Sequence, residues 1–182
     1  MHAPNTADTS LDQRLRAIED HLAILNLIAS HPPSADTGAD YFTRAVYVED
    51  GAMDLGGGKG ASGNAAIAAI IKTPEHQAAI AGGLAHFAGL PRIDIDGDTA
   101  VVTSYLQILT PDNGAEPVAV PGHGASKGFR IHRLAANRWE LKRTAKGWRI
   151  ARRTLRPLDD REAQLLTERA QRVLVDGPSS TG

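Results

Sequence analysis

An α+β domain, with helices first and a mostly antiparallel sheet after them, is the fold class this sequence predicts. Two observations carry the expectation. Apolar residues in the N-terminal part recur at helical spacing, and from His86 onward β-branched and aromatic residues run between turn signals. Helices segregated from strands in this way cover one face of a curved sheet. The 182 residues suit a single domain able to bury a substantial core. It is read as residues 11–175, with flexible tails at 1–10 and 176–182.

The elements follow in order. Leu11, Leu15, Ile18, Leu22, Leu25 and Ile28 fall three and four apart, on one face of a helix. Ser10 and Gln13 form a capping-box pattern at its start, and Pro32-Pro33 ends it near Ser30. A shorter helix is expected over Asp40 to Glu49, then a short strand over Gly51 to Leu55. The run Gly56 to Gly63 reads as a loop, after which Ser62 or Asn64 caps a helix through Ile71. Residues 73–84 are rich in alanine and glycine and favour neither state. His86 heads a strand. Ile93-Asp94-Ile95 runs into the turn Asp96-Gly97-Asp98, and Thr99 to Leu109 returns. Phe129 to Leu134, Arg138 to Arg143 and Trp148 to Leu155 complete the strands, and a last helix spans about Asp159 to Leu174. The connection Pro111 to Gly128 is long for a compact domain and has an apolar tip at Val118, Ala119 and Val120. It suits a lid over a pocket or a surface loop without a role.

Charge and composition narrow the function. Twenty basic residues nearly balance 21 acidic ones, so bulk charge draws the chain to neither nucleic acid nor an anionic membrane. There is no cysteine, which excludes disulfides and thiolate metal sites. Met1 to Ser10 has no hydrophobic signal core, and no apolar stretch is long enough to span a bilayer. A cytoplasmic protein is expected. The histidines lack metal-ligand spacing, so no metal is expected. Gly56 to Gly63 fails the Walker pattern, because Lys59 does not precede Ser or Thr directly after the glycine run. Arg92 with Asp94 reads as a solvated pair, and Arg149, Arg152, Arg153 and Arg156 as a solvated or subunit-contact face.

The ordered set of helix, Asp36-Thr37-Gly38, helix, short strand, small-residue helix, His86-headed strand and Asp-Gly-Asp hairpin resembles the SnoaL-like branch of the nuclear transport factor two-like superfamily. The closing segments Arg138-Trp139-Glu140-Leu141 and Lys146-Gly147-Trp148-Arg149-Ile150 resemble that family's final hairpin. The resemblance covers residues 11–158. It implies a cone-shaped α+β barrel, a strongly curved sheet whose apolar pocket the N-terminal helices close. It also implies a homo-oligomer, dimer or trimer, and no cofactor.

In the scytalone dehydratase and hexachlorocyclohexane dehydrochlorinase members an Asp–His pair does the chemistry, and Asp36 and His86 match it. A carboxylate that orients an imidazole makes a general base. The resemblance thus implies a lyase or isomerase that removes a proton from carbon in a small hydrophobic or polycyclic metabolite. Without the resemblance, Asp36 reads as a cap of the second helix or a residue that shapes its entry turn, and His86 as a structural histidine at a strand end. A non-catalytic binding or accessory protein of the same fold is the alternative. Ala35 and Leu55 stand where scytalone dehydratases carry pocket tyrosines, and no second histidine lies near Thr110. His31 falls where ketosteroid isomerases carry an oxyanion-hole tyrosine, but Asp54 lies one residue off their catalytic aspartate. His31, Tyr41, Leu55, Tyr105 and Trp139 are the expected substrate contacts.

Overall fold

The computed structural model describes residues 10–176. Of the expected tails, only Ser10 and Asp176 fall among them.

Helix α1 (Leu11–Ala29) begins with the expected capping box: the Gln13 amide donates to Ser10 Oγ at 3.2 Å and the Ser10 amide to Gln13 Oε1 at 2.9 Å. Its periodicity is helical, but only the C-terminal end of the stripe is buried. Leu11, Leu15, Ile18 and Leu22 are exposed, and Ile24 and Ile28 enter the core. The two prolines end α1 and then open a further helix, α2 (His31–Asp36), since a proline in the first turn forfeits no helical hydrogen bond. Asp36 therefore closes a helix and caps none; Ala39 precedes α3 (Asp40–Val46).

The predicted second helix is shorter than expected because Tyr47 to Asp50 already belong to strand β1 (Tyr47–Gly56). The glycine run is a hairpin, in which Gly57 and Gly58 turn the chain at positive φ into β2 (Lys59–Ser62). Gly63, at φ 87°, leads into α4 (Asn64–Ile71), so neither Ser62 nor Asn64 is the cap. The ambiguous stretch forms α5 (Pro74–Ala81), capped by the Thr73 side chain.

The strands β3 (Ala85–Ala88), β4 (Arg92–Asp96) and β5 (Thr99–Pro111) follow. Arg92 and Asp94 on β4 form a half-buried pair at 2.7 Å rather than a solvated one. The long connection carries a small hairpin, β6 (Val118–Val120) and β7 (Gly124–Ser126), with every strand residue exposed. The two strands expected at 129–143 are one, β8 (Phe129–Thr144), which turns into β9 (Gly147–Pro157). Helix α6 (Arg161–Asp176) closes the described chain.

Seven strands form one curved sheet in the order β2-β1-β9-β8-β5-β3, with β4 also pairing β5. Its ends are free edges, so it does not close into a barrel. The β1–β9 pair is parallel and the rest antiparallel. Helices α1 to α4 cover the inner face, where Ile24, Ile28, Ile67, Val102, Trp139, Leu141 and Ile150 form the core. Asp20 anchors α1 to the sheet: both its oxygens accept from Arg143 at 2.6 Å, and one accepts from Trp148 Nε1 at 3.0 Å. On the other face Arg156 joins Asp54 of β1 to Glu162 of α6.

Strand pairing sorts side chains by face. One cross-strand row, His86, Ile108 and Arg133, faces inward, and the adjacent row, Phe87, Gln107 and Leu134, faces out.

Candidate active site

α2 and β3 bring the two residues singled out in the sequence together. Asp36 at the end of α2 accepts from the His86 main-chain amide at 3.1 and 3.0 Å, one bond to each oxygen. Its Oδ1 also lies 2.6 Å from His86 Nδ1. A carboxylate can only accept, so Nδ1 carries the proton and Nε2 keeps its lone pair. Nε2 makes no hydrogen bond to any described residue. The pair is thus held by side chain and backbone together, which fixes the imidazole plane as well as its tautomer. Burial pushes the His86 pKa below the usual histidine value, against the opposing pull of Asp36, so the ring is neutral at pH 7.

His86 borders two cavities. The inner one, about 180 Å³, is walled by Met53, Leu55, Ile67, Leu106, Ile108 and Leu155 among others. The outer one, about 370 Å³, lies between α1, α2 and the β3–β4 connection, where Pro32, Phe87 and Leu90 line it along with Asp36.

Further polar groups converge on the inner cavity. His76 of α5 donates from Nε2 to the Ala35 carbonyl at 2.9 Å, and its ring lies 6.0 Å from that of His86. Arg153 of β9 is 5% exposed; its Nε donates to Asn137 Oδ1 at 3.1 Å and its Nη1 to His31 Nε2 at 3.2 Å. The guanidinium stacks over Trp139 at 4.3 Å, and the His31 ring meets the same indole edge-on at 4.8 Å. Burial, and then the Arg153 charge, hold the His31 pKa well below its usual value. Burial raises the Tyr47 phenol to about 12.

Of the expected substrate contacts, His31 and Leu55 line the inner cavity. Trp139 lies fully buried beneath Arg153 and backs the wall. Tyr41 is 74% exposed and Tyr105 50% exposed, and neither lines a cavity. Tyr105 faces outward because the cavity takes the alternate residues Leu106 and Ile108 of β5. No residue of the 112–128 connection lines either cavity.

Arg153, expected on a solvated or subunit-contact face, and His76, which the sequence does not mark, both line the inner cavity. Arg153 turns inward because of one extra residue: β9 pairs Arg152 with Glu140 and Ile150 with Leu141, leaving Ala151 unpaired in a bulge. Trp148 and Ile150 are buried before it, Arg153 and Leu155 after it. Unbroken alternation would have buried Arg152 instead. His76 left no comparable signal, because its helix shows no clear apolar periodicity.

Among the described residues, no group of three His, Cys, Asp or Glu side chains could hold a metal ion. No helix is long and apolar enough to cross a membrane.

The model of the SnoaL-like domain matches residues 16–154. Among solved structures, the chain is similar to an NTF2-like protein with a cystatin-like fold from Novosphingobium aromaticivorans: 35% identity, TM-score 0.75, 88% of this chain and 98% of that one covered. A protein from the same organism provisionally named as an aromatic ring hydroxylase shares 25% identity, with TM-score 0.55 over 79% of this chain and 92% of its own. A third, provisionally named there as a scytalone dehydratase, shares the fold at 18% identity and TM-score 0.58, over 81% of this chain and 88% of its own. No curated protein sequence matches.

Proposed function

We propose, from the premise that this chain belongs to the SnoaL-like domain family, that it is a cofactor-independent lyase or isomerase in which His86 removes a proton from carbon. The observation that carries this reading is the 2.6 Å contact of Asp36 with His86 Nδ1, which leaves Nε2 as a lone-pair donor beside an apolar cavity. A neutral imidazole in that setting accepts a proton without first shedding one, and Asp36 stabilises the imidazolium that results.

In an elimination the C–H electron pair becomes the new C=C bond as the bond to a neighbouring hydroxyl breaks. Imidazolium then returns its proton to the departing hydroxide, giving water. In an isomerisation the same proton is returned to a different carbon. The apolar walls exclude competing water from the carbanion-like state.

The inner cavity limits the size of what enters it. An apolar cavity of about 150 Å³ holds one benzene ring, so about 180 Å³ fits one ring with a small substituent. A polycyclic molecule needs the outer cavity as well. The aromatic ring named for one similar protein is in keeping with a cyclic substrate.

The test is proton exchange at carbon. Wild-type protein is incubated in deuterium oxide with a panel of cyclic ketones and β-hydroxy ketones, and deuterium uptake and alkene formation are followed by NMR. His86→Gln lowers the rate about 10²-fold or more, the usual worth of a positioned base. Undiminished exchange in His86→Gln sinks the reading. Tight binding of panel members without exchange in wild type would favour a protein that binds and does not transform.

A further inference from the structure

The inner cavity has no carboxylate in its lining. Its polar members are His31, His76, His86, Arg133, Arg153 and Thr43, and the remainder is apolar. Asp36 stands behind His86, with both oxygens engaged by the His86 amide and ring.

Arg153 is the unusual member. A buried guanidinium is costly unless an anion and a full set of hydrogen bonds accompany it. Here the acceptors are neutral: Asn137 Oδ1 takes the Nε proton, His31 Nε2 takes one from Nη1, and the Trp139 face lies beneath. Among the described residues no carboxylate pairs with it; its further neighbour is the buried Tyr47 phenol, also uncharged. Thr43 Oγ1, in the same cavity, is buried without a partner. An otherwise apolar cavity is therefore lined by a buried cation that has no paired anion. A guanidinium matches the two oxygens of a carboxylate.

We propose that the missing counter-ion is the ligand: the inner cavity binds a single-ring carboxylic acid as its anion, with the carboxylate on Arg153 and the ring against the aliphatic wall. Arg133, exposed on β8, adds positive charge to the lining and draws an anion toward it. With the carboxylate anchored at Arg153, one ring edge is fixed relative to His86. The cation then selects which carbon the base can reach. The inference deepens the proposed function by naming its substrate class, but the binding it describes does not depend on His86 acting as a base.

Titration calorimetry with benzoate and its uncharged counterpart benzamide tests it. Benzoate binds wild-type protein at least tenfold more tightly than benzamide, and Arg153→Met, checked for folding by circular dichroism, loses that preference. Equal affinity for the two probes overturns the proposal, as does a folded Arg153→Met that keeps the preference, or its loss in Arg133→Gln alone. Should Arg153→Met fail to fold, guanidinium NMR of wild type decides: the Arg153 Nε and Nη signals shift with benzoate, and unmoved signals overturn it. His86→Gln keeps the preference for benzoate while losing proton exchange, so the two readings fail separately. Loss of the preference in His86→Gln would move the anion site away from Arg153.

Discussion

The Arg153 guanidinium donates to Nε2 of His31 across 3.2 Å. That nitrogen must therefore be unprotonated, and His31 is an acceptor that orients a cation. Burial and the neighbouring charge both oppose a proton on it.

Stability should therefore fall on mild acidification. His31 and His86 both have folded-state pKa values below the 6.5 of a free histidine. Between the folded value and 6.5 the unfolded chain binds a proton that the folded chain refuses, so stability rises with pH there. The contribution is complete above pH 6.5 and is lost as pH drops toward the folded values. Each group contributes up to about 1.4 kcal/mol per pH unit across its window. Urea midpoints measured between pH 5 and pH 7.5 give the slope, and His31→Gln should flatten it. A slope unchanged by that substitution contradicts the assignment.

Asp36→Asn should lower the His86 pKa further. Asp36 is the group that raises it against burial, and an amide withdraws that charge. NMR titration of the His86 ring reads the change directly and needs no substrate. A rise, or no movement, would mean that Asp36 does not govern the protonation of His86.

Asp20→Ala should destabilise the fold by about 1–3 kcal/mol, the usual range for charged hydrogen bonds whose partners are then left unpaired. The substitution strips Arg143 of two bonds and orphans the Trp148 indole, which is 4% exposed. Chemical denaturation checks it. The surface pair Asp40–Arg44, four residues apart on α3, is the control and should show no measurable change.

A homo-oligomer is the expected assembly. Leu11, Leu15, Ile18 and Leu22 form an exposed apolar stripe on α1, and Phe87, Tyr105 and Leu134 cluster on the outer sheet face. Light scattering across a dilution series should give a mass above one chain. The double variant Phe87→Glu/Leu134→Glu should lower that mass if the sheet face is the interface. A wild type that stays monomeric at high concentration contradicts the expectation.

What the sequence disclosed depended on how local each signal was. The capping box at Ser10 and the turn at Asp96-Gly97-Asp98 are local chemistry, and both elements stand where they were expected. Asp36 and His86 lie fifty residues apart and became legible as a pair only through a family order of elements. The α1 stripe is exposed from Leu11 to Leu22 and buried at Ile28, because periodicity identifies a stripe without saying what covers it. Glu49 and Asp50 read as a helix end although the backbone had already entered β1, since charged residues suit an exposed stretch of either element. The inward turn of Arg153 rests on the unpaired Ala151, and a bulge leaves no mark in side-chain chemistry.

That unpaired alanine makes the inheritance of the cavity a matter of counting. In a relative that lacks the extra residue, the inward arginine stands one place nearer the tryptophan that opens the strand. An alignment that sets its gap elsewhere along β9 would equate Arg153 with a side chain on the opposite face. By the same arithmetic, gaining or losing a single codon in this strand exchanges several inward residues for outward ones in one step. The lining of the inner cavity thus depends on the residue count of β9 as well as on which residues it contains.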